Sequence, residues 1–287
     1  EYRRQRQMCI RDSLKIVKGD IRNIDEVDLS GIDAIVHLSS VANDPCSDLD
    51  PLLTWEISCL ATMQLADSAA RLGIKRFIYA SSGSVYGVSD AAQVTEDLEL
   101  FPLSEYNKTK MCGERILLSY KEQMNIQIVR PATVCGYSPR MRLDVAVNLL
   151  TMAALENGRI TVLGGDQMRP NIHIDDITDL YIFLLDHPEH TGVFNVGFEN
   201  LSILDIAKMV QKHVNAEIDI KPSNDPRSYR INSDRLLATG FKPKKTIEDA
   251  IKELAGLYRQ GVLKNEEHFH NLKWMTKSVL PQTKNLQ

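Results

Sequence analysis

Tyr106-Asn-Lys-Thr-Lys110 sets a phenol and an ammonium four residues apart in a segment of helical period, which puts both on one helix face. A free phenol ionises near pH ~10 and is a poor base at neutrality, but an adjacent ammonium favours the phenolate and lowers that value. Lys110 is positioned to do this for Tyr106, giving a base able to take the proton of an alcohol. The spacing alone also fits an ordinary solvated helix surface. A second segment adds context: Ile78-Tyr-Ala-Ser-Ser-Gly-Ser-Val-Tyr-Gly87 runs an apolar strand directly into small hydroxyl residues. Ligands of parallel sheets sit beyond the carboxyl ends of the strands. Ser82 would then stand at the mouth of a site, hydrogen-bonded to a substrate oxygen, or would cap its own turn.

The elements that must hold these residues are read from periodicity. Short apolar runs at Leu14–Val17, Ala34–Leu38, Phe77–Ala80 and Ile126–Val129 lack two-residue alternation, as strands covered on both faces do. Helical segments near Leu52–Leu72 and Glu105–Met124 separate the later runs, which is the pattern of βα units around a parallel sheet. Beyond Arg130 the pattern predicts a helix near Leu143–Asn157, a strand Ile160–Leu163, a turn at Gly164 and Gly165, and a helix from about Asp175. A strand Val193–Gly197 comes next, then a helix capped by Ser202 and ending near His213, and a last helix near Thr246–Arg259. The fold class is α/β: an incomplete doubly wound, Rossmann-type parallel sheet with a smaller C-terminal α/β substrate lobe. The expected division is a dinucleotide-binding part over 14–141 and 171–198, a substrate lobe over 142–170 and 199–265, and a tail over 266–287.

Composition narrows the partners. The 287 residues carry 34 basic and 38 acidic side chains, a net charge of −4, so no basic field is present to hold a nucleic-acid backbone. No apolar run reaches the roughly 20 residues of a membrane span, and Glu1–Ser13 has no signal-peptide core. The expected location is cytoplasmic. The cysteines, Cys9, Cys46, Cys59, Cys112 and Cys135, include no C-x-x-C pair and read as reduced packing residues, with no metal site.

An ordered set of motifs resembles the extended short-chain dehydrogenase/reductase family, in its sugar-nucleotide epimerase and dehydratase branch. It runs from about Leu14 to Arg259. The set comprises Gly19-Asp-Ile-Arg22, Val36-His-Leu-Ser-Ser40, the serine strand, Tyr106 to Lys110, Arg130-Pro-Ala-Thr-Val134, Arg169-Pro170, His173-Ile-Asp-Asp176, Phe194-Asn-Val-Gly197, Asp225-Pro-Arg-Ser-Tyr-Arg230 and Gly240-Phe-Lys-Pro243. The resemblance implies catalytic roles for Ser82, Tyr106 and Lys110. It implies NAD as cofactor, with NADP not excluded. Asp20 and Ile21 would border the adenine, Leu38, Ser39 and Ser40 would line the adenosine and pyrophosphate side, Lys110 would also bond the nicotinamide ribose, and Pro131 and Thr133 would pack near the nicotinamide. For a nucleotide-sugar substrate, Ser82, Ser84, Asn148, Arg169 and Arg227 are the implied contacts, arginine being suited to bidentate diphosphate binding. It also suggests a homodimer through the helices near Leu52–Leu72 and Glu105–Met124.

Departures from the pattern carry information. Ser39 and Ser40 stand where Ala-Ala is usual, and Ser58 and Ala61 where Asn and Gly are usual. Dehydratases and decarboxylating relatives carry acidic residues at the positions of Gly83 or Ser84, and their absence here favours epimerisation or ketone reduction over loss of water. A non-catalytic nucleotide-sugar binder is the alternative of another class. No G-x-G-x-x-G is present, and Glu1–Ser13 looks foreign to the rest of the chain. In the family strand order Leu14–Val17 and Ala34–Leu38 lie three spacings apart, about 14 Å at roughly 4.8 Å each. The expectation is a buried sheet edge and weak dinucleotide binding by this chain.

Overall fold

A computed structural model describes residues 14–89, 91–223 and 228–279. Four strands, β1 (Ala34–His37), β2 (Arg76–Ala80), β3 (Asn125–Pro131) and β7 (Gly192–Val196), form one parallel sheet in the order β1-β2-β3-β7. Phe77, Ile78, Tyr79, Ile128 and Val129 are fully buried, which explains why these runs show no alternation: both faces are covered. One face packs on Leu65, Ala66, Ala69 and Leu117, the other on Ile177, Leu180, Leu184 and Leu236. The register pairs His37 with Tyr79 and Ala80 with Val129, so the carboxyl ends of the three strands form one edge.

Leu14–Val17 is not a strand. Leu14, Ile16 and Val17 are 60%, 77% and 57% exposed, and no described residue pairs with the outer side of β1. A short, mostly apolar run becomes a strand only with a ladder to join, and among the described residues this one joins none.

The expected helix over Leu52–Leu72 is three consecutive pieces: Pro51–Trp55, a π-type turn Glu56–Leu60, and Ala61–Arg71. Asp50 caps its start by accepting from the Leu53 N–H at 3.0 Å, and Pro51 occupies the first turn, where its missing N–H costs nothing. The helix bearing Tyr106 spans Glu105–Leu118, capped by Ser104 Oγ on the Asn107 N–H (3.2 Å), and gives way to tight turns six residues before the expected Met124. Gly113 lets it lie close: a Cβ there would collide with the ring and hydroxyl of Tyr79 in β2.

A second core gathers under the helices Ala146–Asn157, Ile203–His213 and Ile247–Arg259, around Val147, Leu150, Ile160, Val162, Ile206 and Ile251. There β5 (Arg159–Leu163) pairs in parallel with β9 (Glu217–Lys221). Between the two cores lies a small sheet of β4 (Thr133–Cys135), β6 (Met168–His173) and β8 (Glu199–Ser202) in the order β4-β6-β8. Ser202 caps the Ile203 helix as expected, accepting from Asp205 N–H at 3.0 Å. The last helix opens with a reciprocal cap between Thr246 and Asp249. Segment 266–279 packs back on the protein: Phe269 is buried with Met141 and Leu143, and its carbonyl accepts from the Leu143 N–H at 2.8 Å.

Candidate active site

The carboxyl end of β2 turns directly into a short 3-10 helix, Gly83–Tyr86. Ser82 caps it, its Oγ accepting from the Ser84 N–H at 3.2 Å. Ser82 also acts on the Tyr106 phenol, opposing the rise that burial causes in its pKa. Of the two roles the sequence leaves open for Ser82, capping is the one that the geometry displays. Ser82 Oγ also lies 2.7 Å from Ser84 Oγ, which donates to Asn107 Oδ1 at 2.5 Å. A serine pair and the asparagine that follows Tyr106 thus share one hydrogen-bond network at the strand mouth.

Lys110 departs from expectation. It is 3% exposed and its ammonium donates to the Ala80 carbonyl at 2.7 Å, with the Tyr79 ring 5.0 Å away and the Tyr106 ring 5.9 Å away. Burial pushes its pKa down to about 7, opposed by the Glu114 carboxylate. The Tyr106 pKa is not lowered but raised above its ordinary value of 10, because burial outweighs Ser82 and the nearby Arg142 charge. In this state the pair is a phenol beside a lysine that titrates near neutrality.

That titration has a consequence for stability. Below pH about 7 the folded protein holds a desolvated ammonium, and between about 7 and 10.5, the ordinary lysine value, it binds fewer protons there than the unfolded chain does. Lys110 therefore makes the fold more stable as pH rises across that window. Thermal unfolding of the wild type and Lys110→Met from pH 6 to 10 should show the slope weakened in the variant. Parallel profiles would contradict the assignment.

Beneath the site is a buried polar network that sequence reasoning missed. Glu114, 1% exposed, receives Arg130 through Nε at 2.9 Å and Nη2 at 2.6 Å, and also accepts from Ser81 Oγ. Arg130 Nη1 donates to Tyr86 Oη at 2.6 Å, and Tyr86 Oη donates to Asn195 Oδ1 at 2.8 Å. The network ties β2, β3, β7 and the Tyr106 helix together. The available signal was Glu114 itself, one further turn along the face of Tyr106 and Lys110. His37, at the end of β1, is stacked on Tyr79 and bonded to Thr62 Oγ1 at 2.9 Å; burial lowers its pKa to about 4, so it is neutral.

The remaining residues singled out in the sequence are spread along the same edge and beyond it. Asp20 caps the turn Ile21–Glu26 and its carboxylate holds Arg22 (2.7 Å), which reaches on to Glu56 (3.1 Å); Ile21 packs against the sheet core. Leu38, 58% exposed, and Ser39, exposed, come directly after β1, and Ser40 Oγ lies 3.1 Å from Ser58 Oγ. Ser58 also accepts from the Val41 N–H at 3.0 Å, so the substituted serine anchors the loop after β1. Pro131 ends β3 with its carbonyl against Gly83, and Thr133 is in β4. Arg169 lies in β6, with Nη1 donating to the Met168 carbonyl at 3.1 Å. Asn148 is 1% exposed, and its amide accepts from Gly136 N–H (3.0 Å) and donates to the carbonyls of Gly136 and Arg142, latching a loop. Arg227 lies outside the described residues.

Comparison with known proteins assigns the family. The model of the NAD dependent epimerase/dehydratase family matches residues 2–197, including most of the arm that the sequence pattern set aside. Similar proteins include a mouse dTDP-D-glucose 4,6-dehydratase, 25% identical over 94% of this chain and 79% of that protein. A UDP-glucose 4-epimerase from Lactobacillus helveticus is 27% identical over 77% of this chain and 75% of its own. Among solved structures, a UDP-glucuronic acid 4-epimerase variant from Bacillus cereus, in complex with UDP-4-deoxy-4-fluoro-glucuronic acid and NAD, aligns with a TM-score of 0.70 at 28% identity, covering 86% of this chain and 80% of that one. The chain belongs to the NAD-dependent epimerase/dehydratase family and is an enzyme of the sugar-nucleotide-modifying type.

The donor set at the strand ends suits the nicotinamide end of such a cofactor. Exposed apolar Leu38 stands past an otherwise half-buried or buried strand, on the same edge as Tyr106, Lys110 and Pro131. Among the described residues no helix is long and apolar enough to cross a membrane.

Proposed function

We propose that this protein is a sugar-nucleotide epimerase acting at a sugar carbinol. The observation that carries the reading is the hydroxyl network at the end of β2. Ser82 Oγ lies 2.7 Å from Ser84 Oγ, and Ser84 delivers its proton to Asn107, the residue after Tyr106, where a dehydratase would carry an acid. A neutral Gly83-Ser84 pair offers nothing to expel a hydroxyl as water, whereas a phenol and a serine suffice to move one alcohol proton.

In this reading Ser82 holds the carbinol oxygen and Tyr106, once ionised, removes its proton. Protonated Lys110 lies near enough to stabilise that phenolate. The nicotinamide ring, when bound, supplies the acceptor for the carbinol hydride. Leu38, Ser39, Ser40, Lys110, Pro131 and Thr133 are the residues that would hold the cofactor, with Asp20 and Ile21 toward its adenine. Tyr106 returns its proton when the alcohol is re-formed on the opposite face. Arg169 and Arg227 would grip the diphosphate while the sugar ring turns.

The test is conversion of UDP-sugars by the purified protein, followed by NMR. Interconversion of two C-epimers with no net appearance or loss of reduced nicotinamide is expected. Stoichiometric consumption of reduced cofactor would identify a ketoreductase instead, and tight UDP-sugar binding without any turnover a binding protein.

A further inference from the structure

The opposite edge of the sheet, at the amino ends of the strands, carries a second cluster of chemistry. The helix Ile174–Asp186 ends there in the turn His187-Pro-Glu-His190. His187 Nδ1 lies 2.9 Å from Glu189 Oε1, and His190 Nε2 lies 3.7 Å from the same oxygen. The three ligand atoms all fall within 4.8 Å of one another. Two ligands bound tetrahedrally at 2.0–2.1 Å are separated by about 3.3 Å, so the two measured nitrogen–oxygen distances bracket the required edge.

The turn is held in this form by the sheet. Gln127, fully buried in β3, donates through Nε2 to two carbonyls of the turn, His190 at 2.7 Å and His187 at 3.1 Å, with the Leu184 carbonyl of the helix end 3.3 Å away. Arg76, the first residue of β2, donates to the Leu185 carbonyl at 2.6 Å, and Asn125, the first of β3, to the Pro188 carbonyl at 3.2 Å. Phe183 braces both imidazoles, its ring centroid 4.3 Å from His187 and 5.8 Å from His190. Backbone fixed by a buried amide and rings fixed by a phenylalanine leave little ordering to be done on binding, which is what separates a site from a chance grouping.

We infer that His187, Glu189 and His190 form a binding site for a divalent cation of the zinc class, remote from the catalytic edge. Two imidazoles and one carboxylate favour zinc, copper or nickel over calcium and magnesium, which require oxygen shells. Three protein ligands leave a fourth position for water. The cation would replace the proton that His187 and Glu189 now share and draw His190 into the same polyhedron, fastening the helix end to the strand after it. Its role is to hold this edge together, not to take part in the reaction.

Calorimetric titration of the chelator-treated protein with zinc should show one site. Cobalt should give the visible absorption of a nitrogen- and oxygen-ligated ion. His190→Gln and Glu189→Gln should each weaken zinc binding by about tenfold or more, with unchanged melting temperature in chelator. His213→Gln, which breaks a comparable histidine–carboxylate pair with Glu248 at 2.6 Å, should leave zinc binding as in the wild type. Zinc should also raise the melting temperature of the wild type and not of the His190 variant. The inference is overturned by absence of zinc binding at millimolar concentration, by binding that survives both substitutions, or by calcium or magnesium competing on equal terms.

Discussion

Tyr106→Phe is expected to lower turnover by about 10²- to 10⁴-fold, the range for loss of a positioned general acid–base group. The ring is retained, so packing against Lys110 is kept, and only the hydroxyl is lost. The melting temperature should therefore hardly change. A kinetic split is informative here: the defect belongs in kcat, because the phenol acts on the proton in the transition state and the nucleotide is gripped elsewhere. A variant retaining most of the wild-type kcat with its preferred UDP-sugar would remove Tyr106 from the mechanism. The pH profile adds a second readout. Lys110 discharges near pH 7 while the buried phenol ionises above its ordinary value. In the proposed mechanism the active form, phenolate beside ammonium, is thus a minority of the unliganded protein.

Arg130→Met should be the most destabilising single change in the sheet. Arg130 and Glu114 are 4% and 1% exposed, and removing the guanidinium strands a carboxylate in the core. Breaking one partner of such a pair costs about 3–5 kcal/mol. For a protein of this size that is roughly a 10 °C fall in melting temperature. The double variant Glu114→Gln with Arg130→Met should recover a good part of the loss, since no charge remains unpaired; calorimetric melting of the two variants and the wild type measures this. If the double variant were no more stable than Arg130→Met, the cost would lie in lost packing and not in the stranded charge. Tyr86 and Ser81 are bonded to the same pair, so the single variant should also disturb the turn that carries Ser82 and Ser84.

The helix face carrying Tyr106 and Lys110, the apolar strands Phe77–Ala80 and Ile126–Val129, and the serine turn after the first of them were all legible in the sequence. Their reason is local: the spacing of a helix face and the composition of a strand covered on both sides depend only on neighbouring residues. The family assignment was legible for the same reason, as an ordered series of such motifs. Tertiary structure decided the rest. Leu14–Val17 reads as a strand in the sequence, but among the described residues it joins no ladder and forms none. Asn148 has the chemistry of a substrate contact, and its amide latches a loop by bonding Gly136 and Arg142, which the sequence did not announce. Lys110 stands one turn from Tyr106 as the spacing requires, yet burial, which no spacing encodes, takes its charge toward neutrality and raises the phenol instead of lowering it. Glu114 meets Arg130, and Gln127 meets the His187–His190 turn, only because a helix, β3 and the end of another helix are packed together. Hydrogen bonds between distant segments, and the desolvation that accompanies them, exist only once the chain has closed around them.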